Sequence, residues 1–247
     1  MELNVNNTIF IFDVDGTLTD SRTMMHKFMQ DTLQSFIMNK NRFYLVTGSD
    51  LAKTKTQVPE ELLNQAEGVF CCAGNNYYKR GELMYENNFD APAKLIKFLE
   101  KKVKSSKCPV KAGRHIEDRG CMVNFSVIGR ACTQEERQAY GAFDGPSKER
   151  ELIAKEIKEK FPDLDATLGG QISIDIYPKG MDKAQVIKHI ETECPNKRYI
   201  FLGDRMHEGG NDYPLAKKLD EMEFGTAVPV RHWTKTIDYI TMEKFKL

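Results

Sequence analysis

The sequence predicts an α/β protein: a Rossmann-like core with a parallel sheet, into which an α+β cap domain is inserted. Buried apolar runs recur at residues 9–12, 43–46, 68–73 and 199–203. Amphipathic helical patterns separate them, which is typical of a parallel sheet with crossover helices. Between residues 109 and 180, short alternating strands, hairpin turns and two helices replace that pattern. We therefore expect residues 1–82 and 181–247 to form the core and residues 83–180 to form the cap.

The first apolar run ends in two aspartates. Within TIFIFDVDGTLTD, Asp13 and Asp15 follow the strand, and a turn begins at Gly16. Strand alternation puts both carboxylates on one face, with Val14 pointing away. Carboxylates this close repel each other, and a hard cation such as Mg²⁺ offsets the repulsion. The segment predicts a metal-assisted phosphoryl-transfer site, with one Asp as nucleophile and the other moving the proton. An acidic turn without chemistry is the alternative.

The next two elements carry candidate phosphate contacts. Arg22 lies just past the turn, before a stretch with helical periodicity, and is placed either to grip a phosphate or to be solvated. The strand FYLV ends in Thr47, Gly48 and Ser49. Hydroxyls and free backbone N–H groups at such a strand–helix junction receive phosphate. The pattern leaves open whether Thr47 or Ser49 supplies the hydroxyl.

Three arginines in the expected cap stand at defined local positions. Arg119 lies at a hairpin tip, and Arg130 follows an Ile–Gly pair. Arg137 comes directly after the capping box TQEE, in the second turn of a helix and near its positive end. Each of these is either an anion contact or a solvated, salt-bridged side chain.

The segment QISIDIY, residues 171–177, alternates as a strand. Its isoleucines point inward, while Ser173 and Asp175 share an exposed face. A hydroxyl beside a carboxylate suits hydrogen bonding to sugar hydroxyls.

The C-terminal part returns to the strand–helix pattern. Lys183 is expected in the first turn of a helix over residues 181–193, where a cation is unfavourable. Asp204 ends a buried strand and is the expected third metal carboxylate. Asn211 and Asp212 follow in a polar loop, and their part in metal binding is open. Parallel strand ends meet at one edge of such a sheet, so these groups are expected to lie together.

Composition excludes several classes of protein. Lys+Arg and Asp+Glu both total 36, so the net charge is 0 and neither nucleic-acid nor membrane binding is indicated. The chain has no transmembrane run, and the polar start MELNVNN is not a signal peptide. Its 6 cysteines lack zinc-type spacing and predict reduced thiols in a cytoplasmic protein.

The order and spacing of these motifs resemble those of the eukaryotic phosphomannomutases, a family of the haloacid dehalogenase superfamily. The resemblance covers most of the chain, through DVDGTLT, the GSD at 48–50, NFSVIGRACTQEER, GGQISIDIYPKG and GD-x5-GNDY at 203–213. Thr47, Met181 and Arg205 stand where the family pattern has Gly, Trp and Lys.

The resemblance implies a role for each candidate. Asp13 would be the nucleophile, Asp15 the general acid and base, and Lys183 a stabiliser of the transferring phosphoryl group. Mg²⁺ would be held by Asp13, Asp15 and Asp204, and a phosphate by Thr47, Gly48 and Ser49. The expected contacts to the sugar phosphate are Arg22, Arg119, Arg130, Arg137, Ser173 and Asp175.

The activity implied by the resemblance is interconversion of mannose 6-phosphate and mannose 1-phosphate, feeding GDP-mannose synthesis. It would run through an aspartyl-phosphate and a hexose bisphosphate, with hexose 1,6-bisphosphate as activator and a homodimer formed through the cap. A capped sugar phosphatase and a non-catalytic sugar-phosphate-binding module are the alternatives. The sequence does not rank mannose against glucose phosphates, and it leaves the oligomeric state and a second cation open.

Overall fold

A computed structural model describes residues 7–242. The N-terminal stretch discussed above therefore lies almost wholly outside the described residues. The elements follow in the order β1 (Thr8–Phe12), α1 (Lys27–Met38), β2 (Arg42–Val46), α2 (Leu51–Gln57), α3 (Glu60–Gln65), β3 (Gly68–Cys71), β4 (Asn76–Lys79), β5 (Glu82–Glu86), α4 (Ala93–Ser105), β6 (Ile116–Asp118), β7 (Val123–Phe125), α5 (Gln134–Ser147), α6 (Glu149–Lys160), β8 (Leu164–Gly169), β9 (Ser173–Pro178), α7 (Gln185–Glu193), β10 (Arg198–Gly203), α8 (Tyr213–Asp220), β11 (Gly225–Pro229) and α9 (Trp233–Ile240).

The core sheet is built around β1. Within the described residues its strand order is β11-β10-β1-β2-β3-β4-β5, and the pairings from β11 to β3 are parallel. Every residue of β1 is buried. Phe10 and Phe12 pack toward α1 and α9 on one face, while Ile9 and Ile11 pack toward α7 and α8 on the other. A strand covered on both faces reads as a continuous apolar run, so the predicted α/β class with a parallel-sheet core is confirmed.

The hairpin of β4 and β5 extends this core sheet. β4 pairs antiparallel with β3, and β5 pairs with β4, with Tyr77 opposite Tyr85. The expected cap boundary at residue 83 falls inside β5 and is therefore placed too early. We propose that the cap spans residues 87–180, since the chain leaves the core sheet only after β5.

The cap consists of an antiparallel sheet, β6-β7-β9-β8, with helices on one face. Ile172, Ile174 and Ile176 enter the apolar cluster beneath those helices, as the alternation predicts. Ser173 and Asp175 lie on the opposite face, but they are buried rather than exposed. The sequence alone suggested a solvated face here, whereas the structure turns this face toward the core. The predicted capping box of Thr133 and Glu136 is present at the start of α5.

The cap closes onto the edge of the core where the parallel strands end. Leu168, in β8, donates its N–H to the carbonyl of Gly209 at 2.8 Å, and its own carbonyl accepts from the Asn211 N–H at 3.2 Å. These backbone bonds join the cap to the loop after β10. Each helix among the described residues falls short of the length and apolarity that a membrane crossing requires.

Candidate active site

A polar cleft lies between the cap and the ends of β1, β2 and β10. Most of the side chains expected at the site line it, namely Asp13, Asp15, Arg22, Thr47, Gly48, Ser49, Arg119, Arg130, Arg137, Ser173, Asp175 and Asp204. Lys183 lies behind Asp13 and donates to its carboxylate. The topology thus brings residues from six separate segments to one place.

Lys183 is a fully buried cation held between two carboxylates. Its Nζ donates to Asp13 Oδ1 and to Asp212 Oδ1, both at 2.6 Å. Burial alone would lower the pKa of Lys183, but the two carboxylates raise it above its usual range, so the side chain stays charged. Lys183 lies in the turn before α7, which begins at Gln185, and not in the helix's first turn as expected. The unfavourable position in a helix is therefore avoided.

Three carboxylates form what we call the acidic cluster: Asp13, Asp204 and Asp212. Their oxygens lie within 4.8 Å of one another. Burial and the neighbouring Asp212 raise the pKa of Asp204 to about 7. Burial also raises the pKa of Asp13, against the opposing effect of Lys183. Oxygen donors with this excess of negative charge fit a hard divalent cation.

Two glycines make room for the acidic cluster. A Cβ at Gly16 would stand 2.7 Å from Asp204 Oδ2, and a Cβ at Gly203 would stand 2.6 Å from Asp212 Oδ2. Gly16 also has a φ of +87°, which favours glycine in the turn after β1. The glycine of the DxDG motif therefore serves both the turn and the approach of a distant carboxylate.

The carboxylate of Asp15 lies outside the acidic cluster, contrary to the expectation that it would be a metal ligand. Its Oδ2 accepts from Lys53 Nζ at 2.9 Å and Ser49 Oγ at 3.2 Å, and its Oδ1 accepts from Gln57 Nε2 at 3.0 Å. The reason is that β1 ends at Phe12, so strand alternation does not extend to Asp15. Asp212 occupies the expected place in the cluster.

The surroundings of Asp15 keep it ionised. Burial by itself would raise the pKa of Asp15, but the Lys53 ammonium and the hydrogen bonds from Lys53 and Gln57 outweigh it, and the pKa lies below its usual range. Lys53 and Gln57 were missed from the sequence. They follow Ser49 at successive intervals of four along α2, and this shared helix face was the available signal.

The two candidate hydroxyls after β2 differ in their hydrogen bonds. Ser49 Oγ donates to Asp15 and accepts from Lys53, so its proton is already used in the hydrogen bond to Asp15. Thr47 Oγ1 accepts from the Ser49 N–H at 3.1 Å, which leaves its own proton free to donate. This geometry favours Thr47 as the donor to a phosphoryl oxygen.

Four guanidinium groups converge on the cleft opposite the acidic cluster; we call Arg22, Arg119, Arg130 and Arg137 the arginine cluster. Glu117 lies between two of them, at 3.0 Å from Arg119 and 3.2 Å from Arg130. Arg137 is 3% exposed, and its Nη2 has no hydrogen-bond partner within residues 7–242. Burial lowers the pKa of Arg22, Arg130 and Arg137, and the nearby guanidinium groups lower each of them further. Positive charge in such excess indicates a binding site for an anion.

Asp175 is held on the cap side between two glycines. Its Oδ1 accepts from Asn124 Nδ2 at 2.7 Å, and Asn124 stands directly opposite it on β7. A Cβ at Gly48 would lie 2.8 Å from Asp175 Oδ2, and a Cβ at Gly169 would lie 2.5 Å from it. Next to it, Ser173 Oγ accepts from Arg130 Nη1 at 2.9 Å. Asn124 was missed from the sequence because the pairing of β7 with β9 was unknown.

Comparison with known proteins places these features in a family. The family model of eukaryotic phosphomannomutases matches residues 29–239. The phosphomannomutase of Encephalitozoon cuniculi is 38% identical over 221 residues, covering 86% of each chain. That of Drosophila melanogaster is 33% identical over 222 residues, covering 86% of this chain and 87% of its own.

The chain belongs to the eukaryotic phosphomannomutase family.

Membership of the phosphomannomutase family confirms the resemblance read from the sequence and makes the chain an enzyme of that family. Solved structures agree on the fold. The C-terminal domain of C. albicans trehalose-6-phosphate phosphatase superposes with a TM-score of 0.67 at 17% identity, covering 98% of this chain and 93% of its own. A haloacid dehalogenase-like hydrolase from Bacteroides thetaiotaomicron superposes with a TM-score of 0.56 at 14% identity, covering 94% of this chain and 99% of its own. At these identities the likeness concerns the fold alone.

Proposed function

We propose that this enzyme interconverts mannose 6-phosphate and mannose 1-phosphate, and glucose phosphates as well, through an aspartyl-phosphate on Asp13 and a hexose bisphosphate. The observation that carries the proposal is the two-ended cleft. A buried carboxylate nucleophile with its lysine lies at one end. The arginine cluster lies at the other, and there the buried Arg137 Nη2 has no hydrogen-bond partner among residues 7–242. A hexose bisphosphate carries about −1.5 to −2 charges on each phosphate and so needs a cationic site at both ends.

The first step is attack by Asp13 on a phosphorus atom of the bisphosphate. The Asp13 oxygen forms the new bond to phosphorus, and the bond from phosphorus to the sugar oxygen breaks. Lys183, at 2.6 Å from the Asp13 carboxylate, and the Thr47 hydroxyl neutralise the charge that develops on the phosphoryl oxygens. Mg²⁺, held by Asp13, Asp204 and Asp212, would supply further neutralisation of the phosphoryl oxygens.

Asp15 moves the proton in both directions. It takes the proton from the sugar hydroxyl that attacks the phosphoenzyme, and it returns that same proton to the leaving sugar oxygen when Asp13 attacks the bisphosphate so formed. Lys53, Gln57 and Ser49 keep it ionised between these steps, which is the form that accepts a proton from an incoming sugar. An ionised Asp15 suits a mutase, because the next step of the phosphoenzyme is attack by a sugar hydroxyl, whose proton Asp15 must accept.

The arginine cluster holds the phosphate that does not react. Arg119 and Arg130 are oriented by Glu117, and Arg137 has hydrogen-bonding capacity to spare. Ser173 and Asp175 contact the sugar hydroxyls from the cap. Cap closure excludes water from the phosphoenzyme, and the bisphosphate turns over to present its other phosphate to Asp13.

Further parts of the proposal follow from the family resemblance. The enzyme is activated by hexose 1,6-bisphosphate, its product feeds GDP-mannose synthesis, and two copies pair through their caps. All 6 cysteines are free, which supports the reducing cytoplasm as its compartment. Size-exclusion chromatography with light scattering tests the dimer.

A coupled assay tests the function. Mannose 1-phosphate and glucose 1-phosphate are supplied separately, with and without catalytic hexose 1,6-bisphosphate, and both hexose 6-phosphates and inorganic phosphate are measured. We expect isomerisation that depends on the bisphosphate, with little inorganic phosphate. Steady phosphate release without the bisphosphate would identify a capped sugar phosphatase instead, and binding without turnover would identify a sugar-phosphate-binding module.

A further inference from the structure

A pair of buried thiols lies at the boundary between the cap and the core. Cys72 follows β3 in the core, and Cys121 lies in the turn between β6 and β7 in the cap. Their side chains lie in the same buried cluster. Both are buried, and with Ala73, Met122 and Tyr177 they form a small apolar cluster across the boundary. This contact exists only while the cap lies against the core.

The thiol pair is directly linked to the backbone of the phosphate-binding segment. The Cys72 N–H donates to the Ser49 carbonyl at 2.8 Å. Two residues before Cys121, Arg119 donates from Nη1 to the Gly48 carbonyl at 2.6 Å. A covalent bond between the two sulfur atoms would therefore fix the hairpin that carries Arg119 against the segment that carries Gly48 and Ser49.

The other cysteines have partners within their own domain. Cys71 Sγ contacts Thr54 Oγ1, and Cys194 Sγ accepts from Arg42 Nη2. In the cap, Cys108 and Cys132 each donate to a nearby backbone carbonyl. Of the described cysteines, Cys72 and Cys121 are the two whose thiols meet across the domain boundary.

We propose that Cys72 and Cys121 form a reversible disulfide that locks the cap onto the core and switches the enzyme off. The oxidant is a hydroperoxide such as hydrogen peroxide. One thiol attacks the peroxide oxygen, which breaks the O–O bond and yields a sulfenic acid and one water. The second thiol attacks the sulfenic sulfur, forms the S–S bond and releases a second water. Two thiols and one hydrogen peroxide thus give one disulfide and two waters, and a dithiol reductant reverses the reaction.

Cap movement controls access to this chemistry. In the closed state both sulfur atoms are shielded, and the neighbouring Cys121 thiol together with burial raises the pKa of the Cys72 thiol. Opening the cap separates and exposes the thiols, so the first oxidation takes place in the open state and closure completes the bond. A ligand that holds the cap closed slows the oxidation; this one consequence rests on the proposed function, whereas disulfide formation does not.

The test is peroxide treatment of the full reduced chain, followed by peptide mapping by mass spectrometry under non-reducing conditions. We expect a cross-linked peptide pair containing Cys72 and Cys121. Hexose phosphate turnover should fall about ten-fold or more, because a locked cap does not admit substrate. Dithiothreitol should restore it. Cys121→Ser should give no cross-link and keep its activity in peroxide, whereas Cys108→Ser, which alters another buried cap cysteine, should respond like the parent chain.

Several outcomes would overturn the proposal. They are a cross-link between Cys71 and Cys72, the absence of any cross-link from the parent chain, or equal loss of activity in Cys121→Ser and the parent. The cross-link is detected on the peptides and does not require activity. A cross-linked chain without mutase activity would therefore refute the proposed function but support the disulfide. As a second measurement on the unmutated chain, hexose 1,6-bisphosphate should slow alkylation of Cys121 by iodoacetamide. Equal alkylation rates alongside normal mutase activity would contradict gating by the cap.

Discussion

Two buried arginines of the cap have different surroundings. Arg150, on α6, is ion-paired with Asp144 at 2.7 Å and donates to the carbonyl of Gly170 at 3.0 Å. Arg137, on α5, is equally buried but has a guanidinium nitrogen without a partner among the described residues. The first arginine is paired within the cap, whereas we propose that the second is available to a ligand, at a cost to stability.

Replacing each arginine with methionine separates these roles. Arg137→Met should raise KM for the hexose phosphate about 100-fold, the loss typical of a buried charge pair, and leave Tm unchanged or higher. Arg150→Met should lower Tm by several degrees, because it leaves Asp144 buried and unpaired. Steady-state kinetics and thermal melts measure both. A normal KM with a lowered Tm in Arg137→Met would show that this arginine is structural.

Lys53 sets the protonation of Asp15. Removing its charge in Lys53→Met should raise the pKa of Asp15, so the acid limb of the pH–rate profile moves to higher pH. Lys55→Met, a neighbouring exposed lysine on the same helix, is the matched control and should leave the profile unchanged. An unshifted acid limb in Lys53→Met would rule out this control of Asp15.

The acidic cluster predicts how stability depends on pH and Mg²⁺. The pKa of Asp204 is about 7 in the folded chain, against an ordinary value of 3.8. The folded state thus binds this proton more tightly than the unfolded state, and the stabilisation is lost as pH rises from about 4 through about 7. The pKa of Asp13 is raised as well and acts in the same direction.

We therefore expect the Tm of the Mg²⁺-free protein to fall by several degrees between pH 5 and pH 8, and added Mg²⁺ to raise Tm more at pH 8 than at pH 6. Asp204→Asn should weaken both effects, whereas Asp220→Asn, on the surface of α8, should not. A Tm that rises with pH in the absence of Mg²⁺ would contradict the raised pKa values.

At the scale of elements, the turns that follow the strands decide where the site residues lie. β1, β2 and β10 could each be predicted from their apolar runs, because a strand covered on both faces is apolar along most of its length. The side-chain directions in the turns that follow could not be predicted, since the alternation of faces along a strand ends with the strand. Asp15 therefore faces Lys53 rather than the acidic cluster, and Lys183 lies in a turn rather than a helix.

Glycines at the ends of strands leave space for carboxylates, and Gly169 of β8 offers a test. In Gly169→Ala the new Cβ would stand 2.5 Å from Asp175 Oδ2, and Asn124 and Gly48 restrict where that carboxylate can move. We expect KM for hexose phosphates to rise about ten-fold, as for a displaced hydrogen-bonding group, while kcat changes less.

Gly141→Ala is the matched control, because a Cβ there enters open space on α5. Alanine in a helix is favoured over glycine by about 0.5–1 kcal/mol, so this variant should be slightly more stable with normal kinetics. If Gly169→Ala bound substrate normally, Asp175 would not be a sugar contact.

At the scale of the whole molecule, the inserted cap supplies three of the four arginines at one end of the cleft, and the core supplies Arg22 and the acidic cluster. The α/β class, the two-part organisation and most of the side chains lining the cleft could be predicted from motifs and from the family resemblance. The partners that come from distant segments could not. Asp212, whose part in metal binding the sequence left open, lies with Asp13 in the acidic cluster. Asn124 holds Asp175, and Cys121 lies beside Cys72. Spacing along the chain does not encode any of these contacts.

The polar face of β9 is buried because the cap lies against the core. Ser173 and Asp175 occupy alternate positions of β9 and would be solvated if the cap stood alone. With the core in place they are 8% and 2% exposed, because the core lies against that face. The cap's polar face is therefore part of the cleft.

The most direct measurement follows a labelled phosphoryl group. The enzyme is incubated with ³²P-labelled hexose 1,6-bisphosphate, quenched, and mapped for label on the peptide containing Asp13; a parallel sample is chased with unlabelled mannose 1-phosphate. We expect label on Asp13 that leaves on a hexose bisphosphate during the chase, and no label in Asp13→Asn, with Asp20→Asn as the control that labels normally. Label that leaves as inorganic phosphate, or an Asp13 that never carries it, would contradict phosphoryl transfer between sugars through this aspartate.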